Sequence, residues 1–150
     1  GASGIAASAA PAWSGARLSP LPASMTRLTT KTNPQNRYRQ MYYIKKRFEI
    51  SAAHRLQLSY DSKCTNLHGH NWVITVECRS RELNSDGMVT DFTRVKETVM
   101  SRLDHAVIND VLDMNPTAEN IARWIVDNVE NCYRAEVQES EGNIAIYEKD

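Results

Sequence analysis

The sequence predicts an α+β domain of two strands, two helices and two strands, with the helices packed on one face of an antiparallel sheet. Three observations predict it. Apolar and polar residues alternate near both ends of the patterned region, apolar residues recur at helical spacing between them, and a Glu141-Gly142 turn joins the last two alternating stretches. No internal repeat is present.

The elements follow in chain order. Tyr42 to Ala52 places Ile44, Phe48, Ile50 and Ala52 on one parity and Lys45, Arg47 and Glu49 on the other, the pattern of a half-buried strand. Asn71 to Arg79 alternates again, with Trp72, Ile74, Val76 and Cys78 opposed to Thr75, Glu77 and Arg79. The polar segment between them is too long for a tight turn, and such a segment in a small domain is usually functional. The first helix is expected after Asp91 as N-cap, with Phe92, Val95, Val99 and Leu103 as its stripe. The second follows Pro116, capped by Thr117, with Glu119 suiting the first turn and Ala118, Ile121, Ala122, Ile125 and Val129 facing inward. The closing hairpin puts Ala135, Val137 and Glu139 on one face and returns through Asn143 to Glu148, with Ile144 and Ile146 on one side.

Composition narrows the class. The 150 residues suffice for a domain with its own core, and a hydrophobic share of 41% argues against wholesale disorder. A net charge of zero advertises no nucleic-acid or membrane partner, and no apolar run reaches the length of a membrane span. Three cysteines, Cys64, Cys78 and Cys132, are too few and too odd in number for a disulfide framework, so a reducing, cytoplasmic setting is expected. Cys78 and Cys132 lie within apolar patterns and read as small core residues.

Residues 1–40 differ from the rest. They carry five basic residues (Arg17, Arg27, Lys31, Arg37 and Arg39) and no acidic one, which leaves the remainder at −5. A basic, Ser-rich, acid-poor leader resembles a transit peptide, and equally an expression artefact or sequence translated from upstream of the true start. Gly1-Ala2-Ser3 is no natural initiator and Met41 directly precedes the first strand, so the artefact reading is favoured, disorder is expected for 1–40, and the working domain is 41–150.

Histidines carry the first chemical signal. His68-Gly69-His70 precedes the second strand, and two residues at i and i+2 on extended chain point to the same side. His54 lies just past the first strand on the parity of Phe48 and Ile50. If the two strands pair, His54 approaches the other two. Three imidazoles leave one tetrahedral position open, the pattern of a catalytic zinc site. A lone His-x-His is often surface decoration, and the third histidine is what raises the reading above that. Three imidazoles also suit other divalent ions.

Cys64 lies four residues before His68. A thiol beside a metal or an imidazolium becomes a competent base or nucleophile; alternatively Cys64 is a fourth ligand that closes the site. Asp104-His105 ends the first helix. There the Asp can fix an imidazole tautomer, although a simple helix-dipole role for His105 is the plainer reading. Glu139 shares the apolar parity of its strand. If buried with a partner, it suits a ligand with paired N–H donors, such as a pterin or guanine edge.

These residues resemble the 6-pyruvoyl-tetrahydropterin synthase and 6-carboxy-tetrahydropterin synthase family. Phe48-Glu49-Ile50-Ser51-Ala52-Ala53-His54-Arg55-Leu56, Cys64, and His68-Gly69-His70-Asn71 begin the match. Gly87 to Phe92, Leu103-Asp104-His105, Asn115 to Asn120 and Val137-Gln138-Glu139 continue it in order, over essentially all of Met41 to Lys149. The resemblance implies a tunnelling fold, in which sheets of several subunits join into an oligomeric barrel, usually in a homohexamer with sites at subunit interfaces. It implies zinc held by His54, His68 and His70, and Cys64 as proton acceptor. Asp104, His105 and Glu139 would form the proton-relay and pterin-anchoring set, with Thr117 and Glu119 beside Glu139 at the substrate.

The substrate implied is 7,8-dihydroneopterin triphosphate. Only Thr65-Asn66-Leu67 separates Cys64 from His68, a compact loop that resembles the 6-carboxy-tetrahydropterin synthases of the queuosine pathway. The stretch Glu139 to Tyr147 also resembles the animal pyruvoyl-forming enzymes, so pyruvoyl-tetrahydropterin formation stays as the alternative. A non-catalytic zinc-stabilised module, with Cys64 closing the site, stays as a reading of another class.

Overall fold

A computed structural model describes residues 40–150; the expectations for the leader fall outside the described residues, apart from Gln40. The described elements are β1 (Tyr42–His54), β2 (His68–Ser80), α1 (Phe92–Leu103), α2 (Ala118–Asn128), β3 (Cys132–Ser140) and β4 (Asn143–Glu148), with single 3-10 turns at Lys63–Thr65 and Ile108–Asp110. The predicted order of two strands, two helices and two strands is therefore the observed one. The strands form one antiparallel sheet in the order β1-β2-β3-β4.

Strand periodicity sorts side chains to two faces. Phe48, Ile50, Ala52, Trp72, Ile74, Val76, Cys78, Ala135, Val137 and Ala145 are buried on one face. Val95, Val99 and Leu103 of α1 and Ile121, Ala122, Ile125 and Val126 of α2 complete this core. Both helices begin as their caps dictate: the Asp91 carboxylate accepts the Thr93 N–H at 2.7 Å, and Thr117 Oγ1 accepts the Asn120 N–H at 3.3 Å.

The opposite face is polar. Lys45, Glu77, Arg134 and Glu148 stand in register across all four strands. Lys45 meets Glu77 at 3.2 Å, Glu77 pairs with Arg134, and Arg134 reaches Glu148 at 3.6 Å.

Two expectations need correction, and one is made more specific. Phe92 is not part of the buried stripe of α1 and stands 48% exposed, because the sheet is met by Val95, Val99 and Leu103 instead. Ile144 and Ile146 do share a side, and it is the outer one; Ala145 and Tyr147 face the core. Finally, both of the first two strands extend further than the alternation suggested. His54 is the last residue of β1, and His68-Gly69-His70 opens β2. Polar residues inside a strand look like loop in a hydrophobicity pattern, although backbone pairing does not require apolar side chains.

Candidate active site

The extended strands bring the three histidines together. In the β1–β2 register His54 lies opposite His68, and Ala52 opposite His70. His68 and His70 share a side, so all three rings gather at one end of the core face. Ring centroids are 4.6 Å apart for His54 and His68, 5.2 Å for His54 and His70, and 4.9 Å for His68 and His70. One nitrogen from each lies within 4.8 Å of the others. Trp72, wholly buried, walls the set edge-on against His54 and His70 and donates its indole N–H to the Ala52 carbonyl at 3.1 Å.

Two of the tautomers are set by backbone. His54 Nδ1 lies 2.8 Å from the Pro116 carbonyl, and His68 Nδ1 lies 2.7 Å from that of Asn66. A carbonyl only accepts, so each Nδ1 carries a proton, and in the neutral ring it is Nε2 that presents the lone pair. The Nε2 atoms of His54 and His70 are buried without a hydrogen-bond partner. Burial, the largest effect, holds the His54 imidazole below its ordinary pKa, reinforced by His68 and His70 and opposed by the Pro116 hydrogen bond and Glu139. A proton is therefore a poor occupant of this nitrogen near neutral pH.

Glu139 sharpens the point. Its Oε1 lies 3.3 Å from His54 Nε2 and 3.7 Å from His70 Nε2. Lone pairs and a carboxylate converging without a proton repel one another, and desolvation adds to the cost. A divalent cation removes both penalties. The residues present thus fit a metal ion: three imidazoles, two of them oriented from behind by carbonyls, are the donor set that zinc and its neighbours prefer.

Glu139 also lines a cleft of about 470 Å³ with Thr117, Glu119, Leu56, Leu58 and Tyr60. The three residues expected at the substrate therefore share one cavity. A second cleft, about 520 Å³, is lined by His70, Gly69, Asn71, Ser51 and His105. His70 of one cleft and Glu139 of the other are 3.7 Å apart.

Asp104 and His105 sit against the outer edge of β1. Asp104 Oδ1 accepts the Ser51 N–H at 2.9 Å, and the His105 N–H donates to the Ser51 carbonyl at 2.7 Å. Asp104 Oδ2 lies 2.9 Å from His105 Nδ1, and the His105 side chain is 81% exposed. The Ser51 hydrogen bond foremost, then the neighbouring imidazole, hold the Asp104 carboxyl below its usual pKa against the opposing effect of burial. His105 has φ of 54°, a left-handed conformation uncommon for a residue other than glycine.

Cys64 occupies the 3-10 turn capped by Ser62, half-buried. It lines neither cleft. Its carbonyl accepts the Leu56 N–H at 2.8 Å, which ties the turn to the chain two residues past His54.

Two asparagines complete the site. Asn109 uses both ends of its amide on Arg55, accepting from N–H and donating to the carbonyl, each at 2.9 Å. Asn115 does the same to Gln57, again at 2.9 Å twice. Each amide imitates a strand neighbour and holds 55–57 extended where no strand lies beside it. Asn120 Nδ2 donates to the Asn115 carbonyl at 2.9 Å, fixing the turn that presents the Pro116 carbonyl to His54. Asn109 carried no local signal, because its partner is 54 positions away. Asn115 was visible only inside the motif that runs to Asn120.

Comparison with known proteins agrees with this architecture. The family model described as 6-pyruvoyl tetrahydropterin synthase matches residues 43–150. The chain is 27% identical over 131 aligned positions to the 6-carboxy-5,6,7,8-tetrahydropterin synthase of Bacillus subtilis, covering 76% of this chain and 90% of that protein. It is 31% identical over 129 positions to the human 6-pyruvoyl tetrahydrobiopterin synthase, covering 69% and 89%. The solved 6-pyruvoyl tetrahydropterin synthase of Caenorhabditis elegans superposes with a TM-score of 0.59 at 26% identity, covering 73% of this chain and 96% of that one. With sheet, helices and matched residues in agreement, the chain belongs to the 6-pyruvoyl tetrahydropterin synthase family and has its tunnelling fold.

Proposed function

We propose that this chain is a zinc-dependent lyase that converts 7,8-dihydroneopterin triphosphate to 6-carboxy-5,6,7,8-tetrahydropterin. It would work as a cytoplasmic homohexamer that supplies deazapurine (queuosine) biosynthesis. The observation that carries the reading is the meeting of three imidazoles with the Glu139 carboxylate at the edge of a cleft. His54, His68 and His70 would hold the ion. Bound zinc supplies Lewis acidity toward the hydroxyls of the substrate side chain.

The chain's own residues do the remainder. Glu139 accepts hydrogen bonds from the paired N–H groups of the pterin, with Thr117 and Glu119 beside it. Cys64, as thiolate, removes the side-chain proton next to the ring. His105, kept in one tautomer by Asp104, relays protons at the exposed cleft. Triphosphate leaves, and hydrolytic cleavage of the side chain, in which a water supplies the second carboxylate oxygen, releases acetaldehyde and leaves the carboxylate on the ring. The compact Cys64-to-His68 loop favours this product, as does the relative from Bacillus subtilis.

The 31% identity to the human protein favours a second product, 6-pyruvoyl-tetrahydropterin. Incubation with 7,8-dihydroneopterin triphosphate, followed by mass identification of products, decides between them. A carboxy product with acetaldehyde supports the first reading and a pyruvoyl product the second. No turnover by zinc-loaded protein defeats both, and favours a zinc-stabilised module with Cys64 as fourth ligand.

A further inference from the structure

Cys78 and Cys132 lie in neither cleft. They face each other from β2 and β3 toward the end of the sheet remote from the histidines, as Cα partners on the core side. Cys78 lies ten positions along β2 from His68, roughly 30 Å of strand. The Arg79 N–H donates to the Asn131 carbonyl at 2.9 Å. A bond between the residue after one partner and the residue before the other marks Cys78 and Cys132 as a non-hydrogen-bonded pair. That is the pair type whose side chains stand closest, with Cα atoms about 4.5 Å apart, inside the range that a disulfide spans.

The local backbone adds freedom. The register steps from Glu77 opposite Arg134 to Cys78 opposite Cys132, leaving Tyr133 as an extra residue. Such a bulge leaves its extra residue unpaired, bends the strand and loosens the ladder locally. The Cys132 thiol donates to the Arg134 carbonyl at 3.4 Å, which holds its sulfur at the strand pair. Cys78 is fully buried and Cys132 only partly so.

We propose that Cys78 and Cys132 are a redox modification site, a dithiol that a peroxide converts to a reversible cross-strand disulfide. Cys132 is the attacking sulfur because it is the accessible one. The neighbouring Cys78 thiol also holds the Cys132 pKa below that of an ordinary thiol, while Cys78 is pushed up by Cys132 and by burial. Cys132 sulfur takes an oxygen from the peroxide, the O–O bond breaks, and the departing hydroxide collects the Cys132 proton as water. Cys78 sulfur then displaces hydroxide from the Cys132 sulfenic acid, and its own proton completes a second water. Two thiols are oxidised by two electrons and one peroxide is reduced. The bond closes a covalent loop around the segment that holds α1 and α2.

Treating the zinc-loaded full chain with hydrogen peroxide, alkylating it under denaturing conditions and mapping its peptides tests the proposal. The expected product is a peptide pair joined through Cys78 and Cys132, lighter by two hydrogen atoms and restored by dithiothreitol. It should form equally in Cys64→Ala and be absent from Cys132→Ser. Both thiols still alkylating after oxidation of Cys64, pairing of either with Cys64, or a Cys132 sulfinate beside a free Cys78 would each overturn it. The mapping is done on the unaltered chain, so it stands even if a variant fails to fold.

Discussion

One ring nitrogen of His54 faces the backbone and the other faces a carboxylate, and this division organises the site at the scale of single residues. The Pro116 carbonyl fixes the proton on Nδ1, so Nε2 is left to a metal. His68→Ala should lose stoichiometric zinc, measured by elemental analysis. Cys64→Ala should keep it and lose turnover by about a hundred- to ten-thousand-fold, the size of a missing acid–base group. Loss of zinc in Cys64→Ala would instead identify that thiol as a ligand. The pH dependence follows from the same ring. Its folded pKa is lowered, so the unfolded chain binds the extra proton first and the metal-free protein loses stability as pH falls below the ordinary imidazole value of about 6.5. Asp104, also lowered, adds a loss at more acidic pH, below the ordinary carboxylate range. Chemical denaturation of metal-free protein between neutral and acid pH checks this; a flat profile from pH 7 to 5 would contradict it.

Among the elements, the informative ones are short and irregular. The segment after β1 is held by two amide side chains and the Leu56–Cys64 backbone bond rather than by a strand. Asn115→Ala should raise KM more than it lowers thermal stability, because the released segment carries Leu56 and Leu58 of the cleft. Asn115→Asp should not rescue it, since a carboxylate cannot donate to the Gln57 carbonyl. Thr117→Ala should cost about 1 kcal/mol through loss of the α2 cap, read by denaturant titration. The sequence displayed the strands, helices and caps because period and capping are local. It understated β1 and β2 because their last and first turns of pleat carry histidines, and it misplaced Phe92 because one apolar residue at the right spacing says nothing of whether the sheet reaches it. Two of the three zinc candidates were legible as a spacing of two. The third needed the hairpin register, and the asparagine clamps needed the tertiary structure itself.

At the scale of the molecule, β1 and β4 are the sheet's outer strands among the described residues. The His54 end of β1 is already occupied, since the Ala53 N–H donates to the Ala106 carbonyl at 3.0 Å. Among the described residues nothing pairs with the Tyr42 end in this way, and β4 shows Ile144 and Ile146 about half exposed on its outer face. Free edges of this kind invite further strands. Light scattering on the full chain should therefore give the mass of an oligomer, with six copies expected; a monomer at working concentration would remove the hexamer from the proposed function.

The row of charges across the outer face bears on how copies could meet. It reads positive, negative, positive, negative from Lys45 to Glu148, and its two ends, 62% and 58% exposed, carry opposite sign. The sheet is thus a bar with unlike poles. Two copies joined β1 to β1 would set lysine beside lysine, and β4 to β4 would set glutamate beside glutamate. Joining β4 of one to β1 of the next continues the alternation. Such a contact is heterologous, so it favours closed rings over two-fold pairs along these edges, and added salt should weaken that preference first.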